Sequence, residues 1–244
     1  MDPLETVNKV AGKLASGRSP TFAEAHVVKA LEEINFQENV GRLKLSKDLK
    51  LGEGEIRTLV KHLKNEGLIN VSNSGISLSP DGKKLLSRLR TLVSEPLDIP
   101  STPLTVGPFN VAVRVTGMQD SVKYGLEQRD AAIMAGAKGA STLIFTKNGL
   151  AMPGTKEDIT KRNPSVLDSL SRLILKEGDV IIIGSADEKI RAELGAKTAA
   201  LELLKAKAKN SFTTQLAKGK TYHARHTRKT SVTSDQQSVD LENL

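Results

Sequence analysis

Between Glu55 and Gly67 the apolar residues Ile56, Leu59, Val60 and Leu63 fall at i, i+3, i+4 and i+7, the spacing that puts side chains on one face of a helix. The opposite side of that wheel carries Thr58, Lys61 and Asn65, flanked by Arg57 and His62, so this helix is expected to be buried on one side and polar and positive on the other. Ahead of it, Ser46 is a candidate N-cap for a short helix carrying Leu49, and Leu51-Gly52-Glu53-Gly54 supplies a tight turn. Beyond Gly67, a candidate helix stop, Leu68 to Val71 and Ile76 to Leu78 read as short strands around Asn73-Ser74-Gly75. Ser79-Pro80 then gives an N-cap and a first-turn proline to a helix through Leu85, Leu86, Leu89 and Leu92. With Val27, Leu31 and Ile34 marking a helix from about Phe22 to Asn35, the order is helix, helix, helix, hairpin, helix. After an N-terminal extension over 1–20, this predicts an α+β winged helix-turn-helix domain over 21–95.

Four prolines between Ser94 and Pro108 resist helix and suggest an extended linker over 96–108. Beyond it, Phe109, Val111, Val113 and Val115 alternate with Asn110, Ala112, Arg114 and Thr116, the period of a strand with one face in a core. A helix is expected from Ser121 to Ala135, with Asp120 as N-cap and Gly136 as stop. Asn148-Gly149 between Thr142–Phe145 and Leu150–Met152 predicts a hairpin, and Val166 to Lys176 reads as an amphipathic helix. Val180-Ile181-Ile182-Ile183 is a continuous apolar run of the kind found in a central strand covered on both faces. A long helix from Glu188 to about Lys207 follows. Alternating strands and helices predict an α/β sandwich over 109–207, serving to bind an effector or to dimerise. After Lys207 the apolar period fades, and 208–244 reads as a flexible basic tail.

Composition narrows the chemistry. The chain of 244 residues has apolar residues enough for two modest cores, and it has no cysteine, which excludes disulfides and thiolate metal sites. His26, His62, His223 and His226 are too scattered for a metal cluster, so no metal and no cofactor are expected. The lack of an apolar run of about 18 residues and of a secretory signal leads to the expectation of a cytoplasmic protein with no membrane partner. The net charge of +8 favours polyanions, and the stretch from Lys205 to Lys229 holds eight Lys and Arg and no Asp or Glu. Lys and Arg only slightly outnumber Asp and Glu between Thr21 and Glu95, so in the winged helix the placement of charge carries the case rather than its sum. Few aromatics, two Tyr and five Phe, argue against base-stacking platforms for single-stranded RNA.

Two features of the second domain invite chemistry. On the helical wheel Arg129 shares a side with Val122, Leu126 and Ile133, and a guanidinium there calls for a partner. The partner is either an acid such as Asp130 or Asp187, or an anionic ligand. Gly184-Ser185-Ala186-Asp187 lies between a buried strand and a helix, where backbone N–H groups hold phosphate or carboxylate. Against this, Ser185-x-x-Glu188 also fits a capping box that satisfies the same donors internally. Nucleophile, paired-carboxylate and metal-ligand spacings are all lacking, and no enzyme is expected.

Gly41-Arg42, Gly52-Glu53-Gly54 with Arg57-Thr58, Gly125 to Ala132, Met152-Pro153-Gly154, and Gly184 to Asp187 with Gly195-Ala196 carry a resemblance from about Thr21 to Leu204. On these residues the chain resembles an archaeal family of two-domain proteins in which a winged helix precedes a domain of unknown function. The winged helix alone is similar to the N-terminal domain of the bacterial central glycolytic gene regulator. The resemblance implies a transcription regulator with a sensor domain.

The combined expectation is a sequence-specific regulator of double-stranded DNA. Arg57, Thr58, Lys61 and His62 enter the major groove, while Arg42, Ser46, Lys47, Asn73 and Ser74 contact phosphates. The second domain binds a small anionic effector through Arg129, Gly184 and Ser185, forms a homodimer, or does both. One alternative is a winged helix that docks a protein while the basic tail gives nonspecific nucleic-acid affinity. Another is an enzyme acting on a phosphorylated or carboxylated metabolite, with Arg129 as anion clamp.

Overall fold

A computed structural model of the chain describes residues 2–12, 22–155, 158–161 and 163–227, with side chains as far as residue 208. The chain divides into the units Met1–Leu204 and Lys205–Leu244.

Within the first unit, α2 (Glu24–Gln37), α3 (Arg42–Leu49), α4 (Glu53–Asn65), the hairpin β1 (Ile69–Ser72) and β2 (Gly75–Leu78), and α5 (Pro80–Leu92) form the winged helix. Ser79 caps α5 as its sequence suggests, its Oγ accepting from the Gly82 N–H at 3.0 Å. Ile56, Leu59 and Leu63 of α4 meet Val27, Leu31 and Ile34 of α2 in one buried cluster. The residues read as an N-terminal extension contribute to it as well. Asp2 caps α1 (Pro3–Ala11), whose Val7 and Val10 are fully enclosed in the same core. The rest of that stretch, residues 13–20, lies outside the described residues.

In the second domain a five-stranded sheet runs in the order β3-β4-β7-β5-β6. Its strands are β3 (Leu97–Ile99), β4 (Phe109–Val115), β5 (Gly139–Thr146), β6 (Gly149–Ala151) and β7 (Val180–Ala186). Every neighbouring pair is antiparallel, so the domain is α+β and not the α/β sandwich that alternation suggests. The alternation itself is real. The helix α6 (Leu126–Met134) carries the chain from β4 to β5, which run the same way but are not adjacent, because β7 inserts between them antiparallel to both. The continuous apolar run is β7, central and buried along its whole length. Its Ile181 and Ile183 face α7 (Pro164–Leu170), while Val180 and Ile182 lie in a cluster with residues of α6 and α8 (Lys189–Thr227).

The proline-rich stretch is not a free connector. Leu97–Ile99 pairs with β4 as an edge strand, and the end of α5 is tied to the end of β4 through Ser94 N–H to Arg114 O at 2.9 Å and Thr116 N–H to Leu92 O at 2.9 Å. Proline tolerates such a place because an edge strand leaves alternate N–H groups unpaired. The helix expected over Ser121–Ala135 is shorter and begins only at Leu126, after a 3₁₀ turn at Gln119–Ser121. In the C-terminal part, the α8 backbone continues to Thr227 through a basic, alanine- and leucine-containing run free of proline, which suits a helix. Residues 228–244 of the expected tail lie outside the described residues.

The first half of α8 packs on both domains. Leu194 and Leu201 join the winged-helix core, whereas Ala196, Ala199, Ala200 and Leu203 lie against the sheet. Gly184 permits this closeness, since a Cβ there would stand 2.2 Å from the Ala192 carbonyl oxygen. On the winged-helix side, Lys29 Nζ of α2 binds Glu33 at 3.0 Å and Glu193 of α8 at 2.9 Å, and Lys197 of α8 binds Glu193 at 2.5 Å and also Glu32 of α2. Burial alone would push the Glu193 carboxyl up, but Lys197 and Lys29 outweigh it and hold the group below the usual carboxylate range. Burial likewise opposes the charge on Lys29, yet Glu193 and Glu33 prevail and raise it.

Candidate nucleic-acid interface

The turn between α3 and α4 is closed by main-chain geometry. Lys50 takes a left-handed conformation, Leu51 N–H reaches Ser46 O at 3.2 Å, and the Ser46 hydroxyl donates to Leu51 O at 2.5 Å. Ser46 therefore sits inside α3, which starts four residues earlier at Arg42. It pins the turn instead of capping the helix, and its hydroxyl is already engaged. The first turn of α4 is capped by Glu55, whose Oε2 accepts from the Gly52 N–H at 2.7 Å.

The outward face of α4 holds Arg57 and Lys61, both exposed, with Thr58 half-buried and its hydroxyl donating back to Gly54 O at 2.9 Å. His62 does not belong to this face. It is 4% exposed, its Nδ1 lies 2.7 Å from Val10 O, and its ring meets Phe22 edge-on at 5.8 Å between centroids. The flank on which the wheel places His62 is covered by α1, a helix whose presence the wheel of α4 cannot register.

Around Arg57, a cleft of about 140 Å³ is lined by Arg42, Leu43, Glu53, Ile56 and Arg57. Arg42 opens α3 and is exposed, as is Lys47 later in the same helix. Lys44 is exposed too but is held by Asp48 at 2.5 Å. Burial would raise Asp48, but its hydrogen bonds from Lys44 and Gln37 outweigh that and keep its carboxyl below the usual range. At the wing tip Asn73 and Ser74 are exposed, with the Ser72 and Ser74 hydroxyls 2.7 Å apart. The wing is fixed from below by the bridge of Val40 to Ile76, where Val40 N–H reaches Ile76 O at 3.0 Å and Ile76 N–H reaches Val40 O at 2.9 Å. Gly75, at φ +131°, leaves no room for a side chain, because a Cβ would stand 2.8 Å from the Asn39 carbonyl carbon.

Exposed basic residues from α3 and α4 and an uncharged polar wing thus share the helix-turn-helix, the arrangement of a winged-helix DNA-binding domain. Leu43, 66% exposed among them, is a further member of this surface, absent from the residues expected to meet DNA. Its only signal is an apolar residue off the stripe of a short helix.

The residues proposed for an anion are not brought together. Arg129 is exposed on α6 and binds its neighbour Asp130 through Nε at 3.1 Å and Nη2 at 2.9 Å. Gly184 and Ser185 lie within buried β7 rather than in a turn, and the Ser185 hydroxyl donates to Asn110 Oδ1 at 2.7 Å. Ser185 is not placed to form the capping box with Glu188, since it lies within β7 with its hydroxyl turned to Asn110, and Glu188 binds Lys50. No group of acidic or histidine residues among those described could hold a metal ion, and no described helix is long and apolar enough to cross a membrane.

Comparison with known proteins agrees with this class. Residues 27–93 match the CggR N-terminal DNA binding domain and residues 106–203 match a domain of unknown function (DUF4443), so the chain carries the first followed by the second. It is 26% identical over 121 residues to the central glycolytic genes regulator of Bacillus subtilis (strain 168), a stretch covering 50% of this chain and 31% of that protein. The chain thus spans under a third of that relative. A solved structure of a hypothetical protein from Pyrococcus horikoshii OT3 superposes with a TM-score of 0.61 at 27% identity, covering 75% of this chain and 94% of that one.

Proposed function

We propose that this protein is a sequence-specific regulator of transcription that reads duplex DNA with α4, and that its second domain pairs two copies of the chain. The observation that carries the reading is the exposure of Arg57 and Lys61 on one face of a helix whose other face is fixed in the core. In this reading Arg57 and Lys61 address base edges, while Arg42, Lys47, Asn73 and Ser74 set the register on phosphates. His62 and Ser46 take no part, since His62 is buried and the Ser46 hydroxyl is engaged within the domain. The reading includes no anion site at Arg129, Gly184 and Ser185, because nothing in the geometry draws these groups to one point. Selection of genomic fragments by the full-length protein tests it. Enrichment of a defined duplex motif, lost with Arg57→Ala, is the expected result, and recovery of fragments without any shared motif contradicts it.

A further inference from the structure

The apolar stripe of α6 faces outward. Leu126 is 50% exposed and Ile133 46%, and the flanking Tyr124 and Met134 reach 72% and 89%, while the residues of the helix that are buried are Gln128 and Ala132. A helix that turns its larger apolar side chains to water, with a glutamine and an alanine on the buried side, has a face suited to a partner.

Sequence order along that face says which partner. Leu126, Arg129, Asp130 and Ile133 stand at i, i+3, i+4 and i+7, so they form one row reading apolar, positive, negative, apolar. Read backwards, the row becomes apolar, negative, positive, apolar, which is its own complement. Laid antiparallel about a two-fold axis passing between positions 129 and 130, each Leu126 meets Ile133 of the other copy and each Arg129 meets Asp130 of the other copy. An isologous contact requires this self-complementarity, whereas a contact with an unrelated protein does not. The charges are available for it. Among the described residues, Arg129 and Asp130 are paired only to each other, at side-chain exposures of 50% and 60%, where an ion pair contributes little.

We infer that two copies of this chain associate through α6, with Leu126 and Ile133 as the apolar contacts and crossed Arg129–Asp130 pairs fixing the register. This rests on the second domain being the pairing domain and does not depend on DNA contact, so it is tested in the absence of DNA. Sedimentation equilibrium of the full-length protein should show a dimer. Arg129→Asp makes the row doubly negative and Asp130→Arg makes it doubly positive, so each variant alone should dissociate at least about tenfold more readily through like-charge repulsion. An equimolar mixture of the two should recover the parent affinity as a heterodimer, which native mass spectrometry identifies by mass. Ile133→Ser should also weaken the parent dimer while leaving thermal melting of the monomer unchanged. A parent that remains monomeric, a dimer that neither charge reversal weakens, or a mixture no tighter than its separate components overturns the inference.

Discussion

Arg57 and Lys61 project from α4 without supporting the core, so their loss should be felt in binding and not in folding. Each substitution by alanine is expected to reduce specific DNA affinity by about 1–3 kcal/mol. Titration of a selected duplex measures this, with thermal melting held to the parent value as the control. For His62 the expectation is reversed. Its ring fills a buried site and its Nδ1 is within hydrogen-bond reach of Val10 O, so His62→Leu strands a carbonyl and should lower stability by about 1–3 kcal/mol. Equilibrium unfolding in urea should show that loss, while sequence preference among folded molecules stays unchanged. The contrast shows what a helical wheel can and cannot say. It separated Arg57, Thr58 and Lys61 from the stripe of Ile56, Leu59 and Leu63 through the helical period alone. Whether the flank carrying His62 meets water depends on α1, some fifty residues away in sequence. His26 by contrast acts locally, its Nδ1 accepting from the Ala23 N–H at 3.1 Å and so taking part in starting α2.

Among the elements, α8 holds the two domains together, and the ion network on its winged-helix side governs how firmly. Lys197 is 2% exposed with two carboxylates on it, so Lys197→Met leaves half-buried Glu32 without its cation and buried Glu193 with Lys29 alone, and should cost about 3–5 kcal/mol in thermal or denaturant unfolding. The network also predicts a pH response at both ends. Glu193 is held below its ordinary range, so its contribution is complete above the unfolded carboxylate value of about 4.3 and fades as pH falls through the lower folded value. Lys29 is raised, so its contribution is complete below about 10.4 and fades as pH rises through the higher folded value. Melting temperatures followed from pH 3 to 11 should therefore fall at both extremes, and Glu193→Gln should lessen the acid-side fall, to which Asp48 also contributes. The elements themselves were legible where the signal was local and unbroken: the helical period of α4, the continuous apolar run of β7 and the Asn148-Gly149 turn of the hairpin. For α6 the stripe of Leu126 and Ile133 was visible, but its direction was not. A period shows which residues share a face, and here Ala132 packs in a cluster with Ala196 and Ala199 while Gln128 is buried beside it, so the core side is not the side of the larger apolar residues. Strand direction was equally hidden, because alternation of strand and helix is the same whether or not β7 slips between β4 and β5.

For the whole molecule, the basic segment beyond Leu204 should add affinity for nucleic acid without adding discrimination. A chain ending at Leu204 retains the compact unit and loses eight Lys and Arg, so its binding should weaken and the slope of log affinity against log salt should become shallower. The preferred motif should be the same for both forms in fragment selection, and a shortened chain that has lost its motif contradicts that division of labour. The tie between α5 and β4, together with α8 lodged between sheet and winged helix, has a last consequence for the DNA itself. With β3 drawn into the sheet, the segment between the domains offers little slack. In a two-fold pair the distance from one α4 to the other is then a fixed length, and fixed length on a double helix means fixed phase. Half-sites separated by a whole number of turns, about 10 to 10.5 base pairs each, present the same side of the duplex. Five added base pairs rotate one half-site to the far side, out of reach of its reader, although every base of both half-sites is unchanged.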